Sequence, residues 1–253
     1  MKNDQDFPGT SRSVVVLGAL LALGLVLGAY VLGYQTKNIG SGRSSITVKG
    51  LAEKPVRADM AEWQVTAVAY GPTFAETVAN LRNEKSALDS FIASQGFDKA
   101  SVRETGETVE PRYEDQVVGE QVRQVQNGFV GKHTLIVSSR ALDRIVATHR
   151  AALDYKASGH NIEYANPSFL VSNLEEIKMS LIGAATDNAK KRAQEFVKHS
   201  DAKLGAMRSA SQGAFYILPP VANASTDDYG GTYDKTTIEK IARVVVTIEF
   251  ALQ

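Results

Sequence analysis

Cysteine is absent from this 253-residue chain. That removes disulfides, thiolate nucleophiles, zinc–cysteine sites and iron–sulfur clusters together. It does not identify a compartment, because an exported protein can also do without cysteine. A charge excess of either sign is missing too: 28 Lys and Arg stand against 28 Asp and Glu. A nucleic-acid binder carries a basic surplus, so no nucleic-acid partner is expected. The remaining composition, 43% hydrophobic and 22% charged, is that of a globular protein and is too charged for a polytopic membrane protein.

Recognisable catalytic signatures are equally scarce. The four histidines, His133, His149, His160 and His199, share no H-E-x-x-H or H-x-H spacing. His149 falls on the apolar stripe of its helix and reads as a packing residue. His199 sits near a helix end, where a partial positive charge suits the dipole. Gly128-Phe129-Val130-Gly131-Lys132-His133 lacks the first glycine of a phosphate loop and has His133 where Ser or Thr would bind magnesium. Ser200-Asp201-Ala202-Lys203 matches S-x-x-K without its companion motifs, and there is no G-x-S-x-G elbow. Asp227 and Asp228, beside Tyr229 and Tyr233, read as a solvated acidic loop rather than a cation or sugar site. Asn223-Ala224-Ser225 is a glycosylation sequon only in a host that glycosylates exported proteins. The expectation is no catalytic residue, no metal site and no cofactor.

What the chain does have is one long apolar run. Val14 to Tyr34 carries no charge over 21 residues. As a helix it would be about 31 Å long, matching a hydrocarbon core of about 30 Å. Tyr30 and Tyr34 fall where interfacial aromatics sit. A cleaved signal peptide is the rival reading, but its apolar core is typically about 7–15 residues and ends in an A-x-A-like site. Val31-Leu32-Gly33 is a poor substitute, so an uncleaved anchor is expected. Lys2 and Arg12 before the span, offset by Asp4 and Asp6, balance Lys37 and Arg43 after it. The charge rule therefore leaves orientation open. Gly24 and Gly28 form a GxxxG, with Gly18 and Ala22 at the same spacing, a pattern that lets membrane helices pair closely.

The domain organisation follows: a tail at 1–13, the anchor at 14–34, a polar linker at 35–43 and one α+β domain at 44–253. Alternation predicts strands near Ser45–Val48, Arg57–Tyr70, Ser101–Tyr113, Phe129–Ser138, Ile162–Val171, Met207–Leu218 and Arg243–Leu252. The last places Val244, Val246, Ile248, Phe250 and Leu252 on one face. A capping box at Thr73 and Glu76 opens a helix with the stripe Phe74, Val78, Leu81, Leu88 and Ile92, closed by Gly96. A second helix over Ala141–Lys156 uses Leu142, Ile145, Val146 and Leu153, and Gly159 stops it. A box at Ser172 and Glu175 launches a third, alanine-rich helix to about Lys203, with Leu204-Gly205 as its end. Two successive β-α-β passages, 57–113 and 129–171, hint at a duplicated unit. Glu114–Asn127 and Pro219–Thr236 read as long polar loops.

The order of motifs resembles a known family. A leading I-x-V-x-G (Ile46, Val48, Gly50) is followed by Ala58-Asp59-Met60-Ala61, an Asn83-containing helix ending at Gly96, and Pro111-x-Tyr113. Gly128-Phe129, Leu142-Asp143, Gly159 and Phe169 come next, then Lys190-Lys191-Arg192-Ala193, Leu204-Gly205 and a V-x-V-x-I-x-F-x-L terminal strand. This is similar to the SIMPL-domain family of bacterial envelope proteins, of the oxidative-stress-defence and periplasmic immunogenic type, over roughly residues 44–253. Ala58 departs from the family's usual proline, and the anchor departs from the cleaved signal of many members. The resemblance implies an exported α+β domain and ring-like or channel-like homo-oligomers, with no established catalytic residues.

The expected function is a membrane-anchored envelope protein, single-pass in the inner membrane with its C-terminal domain in the periplasm or outside. It would serve as a non-catalytic, homo-oligomeric scaffold or interaction module, linked to stress defence by the resemblance. Its partners would be other copies of itself, in a cyclic ring, and the lipid bilayer through residues 14–34. Tyr113, Tyr229 and Tyr233 are the candidate oligomer-loop contacts, and Gly18, Ala22, Gly24 and Gly28 the candidate helix-packing residues. A channel-like ring enclosing a passage and a hydrolase with a loop-assembled site are the two alternatives. If the span is an anchor, intact mass of membrane-extracted protein will retain residues 14–34 and alkaline carbonate will not release it. A mature N-terminus beyond residue 28 would refute the anchor.

Overall fold

The structure is a computed structural model that describes residues 10–41, 44–118, 121–220 and 232–253, with backbone alone for 10–13, 35–41 and 118. Helix α1 covers Thr10–Ser41 and contains the whole Val14–Tyr34 run, none of it buried. The chain divides into two compact units. The first comprises Met1–Leu51, Gly183–Gly213 and Val245–Gln253, and the second Ala52–Ile182 and Ala214–Val244.

The second unit is built around β2 (Met60–Gly71), which follows β1 (Ser45–Arg57) after a turn at Ala58-Asp59. Residues 61, 63, 65, 67 and 69 of β2 point into the core, and Val68 and Thr66 are buried as well, as suits a strand with partners on both edges. Helix α2 (Phe74–Ser94) returns the chain to β3 (Val102–Glu104). β4 (Thr108–Val118) then pairs with β5 (Gln121–Ser139), and α3 (Leu142–Ala157) leads to β6 (Ile162–Tyr164) and β7 (Ser168–Leu170). The sheet order is β3-β5-β2-β6, with these neighbours and the additional β7 on β2 all antiparallel. The two β-α-β passages interleave in this sheet, as in a ferredoxin-like split arrangement. Trp63, Val65, Leu81, Leu88, Ile92, Leu135 and Ile145 meet in the core.

Local chemistry explains most boundaries. Thr73 caps α2, its hydroxyl oxygen accepting from the Glu76 N–H at 3.3 Å. Gly96 and Gly159 follow α2 and α3 with φ of +83° and +104°, left-handed positions where a Cβ would be strained. The Ala58 N–H donates to the Ile238 carbonyl at 2.9 Å, a bond the family's proline could not make at this position.

Several expectations need correcting. Phe74 and Leu153 are exposed. On α3 the buried positions are 142, 145, 148 and 152, and Leu153 lies about 100° round from Ala152. Ser172 precedes α4 (Leu174–Val197) by two residues, and it places both its hydroxyl and its N–H on the Asp59 carboxylate. That helix ends at Val197 rather than Lys203, and Leu204-Gly205 opens strand β8 (Leu204–Leu218). The largest difference concerns residues 114–127. Their described residues extend β4 and β5 as a paired arm, running from Tyr113↔Gln126 to Val118↔Gln121, with a register shift between Pro111 and Tyr113. The arm is exposed on both faces, so its strands never needed the apolar–polar alternation by which a half-buried strand is read.

Strand β9 (Glu239–Leu252) lies between β1 and β8 in a second, three-stranded sheet. Its residues 242, 244, 246, 248 and 250 are buried, while Leu252 is half-buried. In the first unit the alanine face of α4, Ala185, Ala189 and Ala193, is wholly buried. It closes on β1 at Gly50, where a Cβ would stand 2.0 Å from the Ala185 carbonyl oxygen. Since that obstacle is backbone, Gly50→Ala will destabilise the protein by about 1–3 kcal/mol or more, read as a lowered urea midpoint. Gly183→Ala, which meets nothing within 4 Å on the same helix, will not do so.

Candidate functional site

The anchor helix has the simplest chemistry. Gly18, Gly24 and Gly28 have no atoms within 4 Å of an added Cβ, so all three present open backbone. Along an α-helix, Gly24 and Gly28 share one face, whereas Gly18 and Ala22 share another about 120° away. The four residues therefore form two contact stripes rather than the single face the spacing suggested.

In the second unit the titratable groups nearest a cavity are Lys85, Asp89 and Glu104, around a pocket of about 320 Å³ that also takes in Phe97 and Lys99. Lys85 Nζ lies 2.9 Å from Asp89 Oδ2 and 3.2 Å from Glu104 Oε2. Hydrogen bonding to Asp89, and then to Glu104, raises the Lys85 ammonium. Lys85 in turn holds the Glu104 carboxyl below its usual value. Both shifts run away from the neutral range in which general acids and bases work. His133, 4% exposed, points Nε2 to within 3.4 Å of Glu104 Oε2, beyond good hydrogen-bond geometry. Neither of its ring nitrogens has a partner among the described residues.

The other histidines are placed by aromatic packing or solvent. His149 meets Trp63 and Tyr164 edge to face at centroid distances of 6.2 and 5.5 Å. His160 stacks on Tyr155 at 4.2 Å, with Nδ1 3.3 Å from Glu84. Burial pushes the Tyr155 hydroxyl up to about 12. His199 lies just past the end of α4 and is exposed. Among the described residues no group of three or more His, Asp or Glu converges as a metal-ligand set.

The tightest polar constellation follows the 221–231 segment, which is outside the described residues and includes Tyr229, Asn223, Asp227 and Asp228. Lys240 is fully buried, and its Nζ donates to the Asp234 carbonyl at 2.6 Å and to Asp234 Oδ2 at 3.1 Å. Asp234 also accepts from the N–H and hydroxyl of both Thr236 and Thr237. Burial by itself would raise that carboxyl, but the bonds from Thr237, Thr236 and Lys240 outweigh it and hold it far below its ordinary 3.8. Burial also lowers the Lys240 ammonium, against the pull of Asp234. Next door, the Tyr233 hydroxyl accepts the Val171 N–H at 2.7 Å. That gives this candidate contact residue an intrachain partner. Tyr113 stands 56% exposed on the arm.

The Asp234–Lys240 clamp was not anticipated, though two signals for it were present. Asp followed by Thr at the second and third places is a local capping pattern. A lysine at an inward-facing parity of an otherwise alternating strand needs a buried partner.

A family model described as SIMPL, protein of unknown function (DUF541), matches residues 46–250. No curated protein matches the chain.

Removing one member of a buried ion pair strands the other, at a cost of about 3–5 kcal/mol. Asp234→Ala is expected to show a loss of this size in urea unfolding, and Lys240→Met a smaller one, because the threonines still satisfy the carboxylate. Since the folded-state value is depressed, this stabilisation is complete above the ordinary carboxylate range and is lost as pH falls below about 4. Asp234→Asn will flatten that part of the stability–pH curve.

Proposed function

The chain belongs to the SIMPL family, and on that premise we propose that it is a single-pass membrane protein of a bacterial envelope, with its domain on the periplasmic or outer side, serving as a non-catalytic, homo-oligomeric interaction module. One observation carries the reading. The 21 residues of Val14–Tyr34 are apolar, continuous and wholly unburied by the rest of the protein. An exposed apolar surface of that length has a favourable environment in a hydrocarbon core and none in water. A signal sequence passes the same length test, and the missing small-residue cleavage site favours the anchor.

The hairpin arm supports self-association. Beyond the sheet its described pairs, Tyr113↔Gln126 to Val118↔Gln121, make a two-stranded ribbon about 17 Å long at about 3.3 Å per residue. Val117 and Val122, a directly opposed pair near its tip, are 74% and 66% exposed. An isolated ribbon is marginally stable in water and gains from being covered. Cyclic symmetry covers each arm with a neighbour while every anchor enters the same bilayer face. The non-catalytic part of the reading is supported by the Lys85 and Glu104 shifts, which favour a permanently charged network over an activated acid or base. The link to stress defence rests on family likeness.

Light scattering on the full-length protein in mild detergent will give a mass that is a fixed multiple of 27.3 kDa. Val117→Lys with Val122→Lys will move it toward monomer without lowering the unfolding midpoint. A monomeric wild type at micromolar concentration would sink the assembly.

A further inference from the structure

The edges of the two sheets differ in kind. In the second unit β3, β6 and β7 are three residues each, too short to offer another chain a ladder. In the three-stranded sheet the outer strand β1 is closed by α4. The Lys49 carbonyl accepts from Arg192 Nη1 at 3.1 Å, and the Leu51 N–H donates to Asn188 Oδ1 at 3.2 Å. Further on, β1 carries Glu53, Lys54, Pro55 and Arg57, the charges and proline that keep an edge unpaired.

β8 forms the opposite edge, and over residues 206–213 it has none of these devices. The stretch reads A-M-R-S-A-S-Q-G, with no proline, no acid and one charge, Arg208, which lies near Glu249 of β9. All eight residues are exposed, although β9 beside them is buried at Val244, Val246 and Ile248. Further along, the same edge is occupied: the Ile217 N–H donates to the Thr232 carbonyl and the Ile217 carbonyl accepts the Asp234 N–H, both at 2.8 Å. From Ser209 to Gly213 the backbone has no partner but β9 among the described residues. Open N–H and C=O groups flanked by small side chains are a template for an added strand.

The arm is the other ladder with open edges. From Tyr113 to Val118, β4 has only β5 beside it, and β5 meets β2 only from Phe129 onward. The arm's length of about 17 Å fits within the roughly 23 Å of residues 206–213. Charge selects which of its edges suits β8. The β4 strand brings Glu114, held by Arg112, and Asp115, which has no ion pair among the described residues. The β5 strand brings Arg123. Against Arg208, β4 therefore offers opposite charge and β5 like charge. Two β8 edges facing each other would bring only arginine toward arginine.

We propose that the β4 edge of the arm adds to β8 of a neighbouring copy along residues 206–213, so that the neighbour's sheet continues through both arm strands. The contact rests on the self-association reading, and it names the surface that receives the arm. Giving and receiving surfaces differ, so the contact is head to tail and closes as a ring rather than stopping at a pair. Six added residues are a small contact against the about 1,200 Å² of a stable interface. In a ring each copy gives one arm and receives another, and anchoring in one bilayer raises the local concentration of copies.

With no native cysteine among the described residues, only introduced thiols react. Full-length Gln116→Cys, Ala210→Cys and the double variant are treated in mild detergent with a short bismaleimide and separated on denaturing gels. The double variant is expected to give a ladder of covalent multimers about fivefold or more above either single variant. Adding Asp115→Lys should reduce that ladder without lowering the unfolding midpoint. Dimers from Gln116→Cys alone would mean that arms meet arms, and dimers from Ala210→Cys alone that β8 edges meet each other. A bridge within one chain would mean that the arm lies on its own edge. Each of these three results overturns the proposal. An oligomeric mass in light scattering with no ladder overturns the β8 contact and leaves the assembly standing, whereas a monomeric mass ends both.

Discussion

Strand β2 has partners on both edges, and the second unit depends on that double pairing. Eleven consecutive residues, Ala61 to Gly71, pair with Phe129–Ser139, while its other edge receives β6 and β7. A one-residue slip would turn Trp63, Val65 and Ala67 away from the helices and bring Gln64 into the core. Trp63 adds a directional constraint, since its indole N–H donates to the Ala165 carbonyl at 2.9 Å. Side-chain packing and hydrogen bonding therefore select the same register. The helices, the returning strands and the crossed β-α-β order all refer to it.

Where that sheet stops supplying partners, the protein uses concentrated polar locks. Asp59 receives Ser172, and Asp234 receives Lys240 and two threonines, each tying together segments far apart in sequence or leaving a long loop. Further backbone bonds, Phe169 N–H to the Lys235 carbonyl and Ala58 N–H to that of Ile238, connect the same region to β1 and β7. Buried charge is costly unless fully satisfied, and here nearly every lone pair of Asp234 is occupied. That accounts for tolerance of a lysine inside an otherwise apolar strand face.

The surfaces left over carry the functional argument. The apolar span of α1 is wholly unburied, and the arm of β4 and β5 is exposed at Val117 and Val122. The ion network at Lys85, by contrast, satisfies itself.

The sequence by itself determined what depends on neighbours a few residues apart. The apolar span, the Thr73 cap, the turn glycines at 96 and 159, and the inward face of β9 all follow from local period and backbone conformation. So did the family, because motif order survives along the chain. The tertiary structure alone decided the arm that extends β4 and β5 at 113–118 and 121–126, whose residues are exposed on both faces and show no period. It also decided the exposure of Leu153, because Ala152 offered the helix a closer approach to the core. Finally, it set the partners of Asp59 and Asp234 and the burial of His133, since ion pairs and buried imidazoles are defined by distances across the fold that spacing along the chain does not encode.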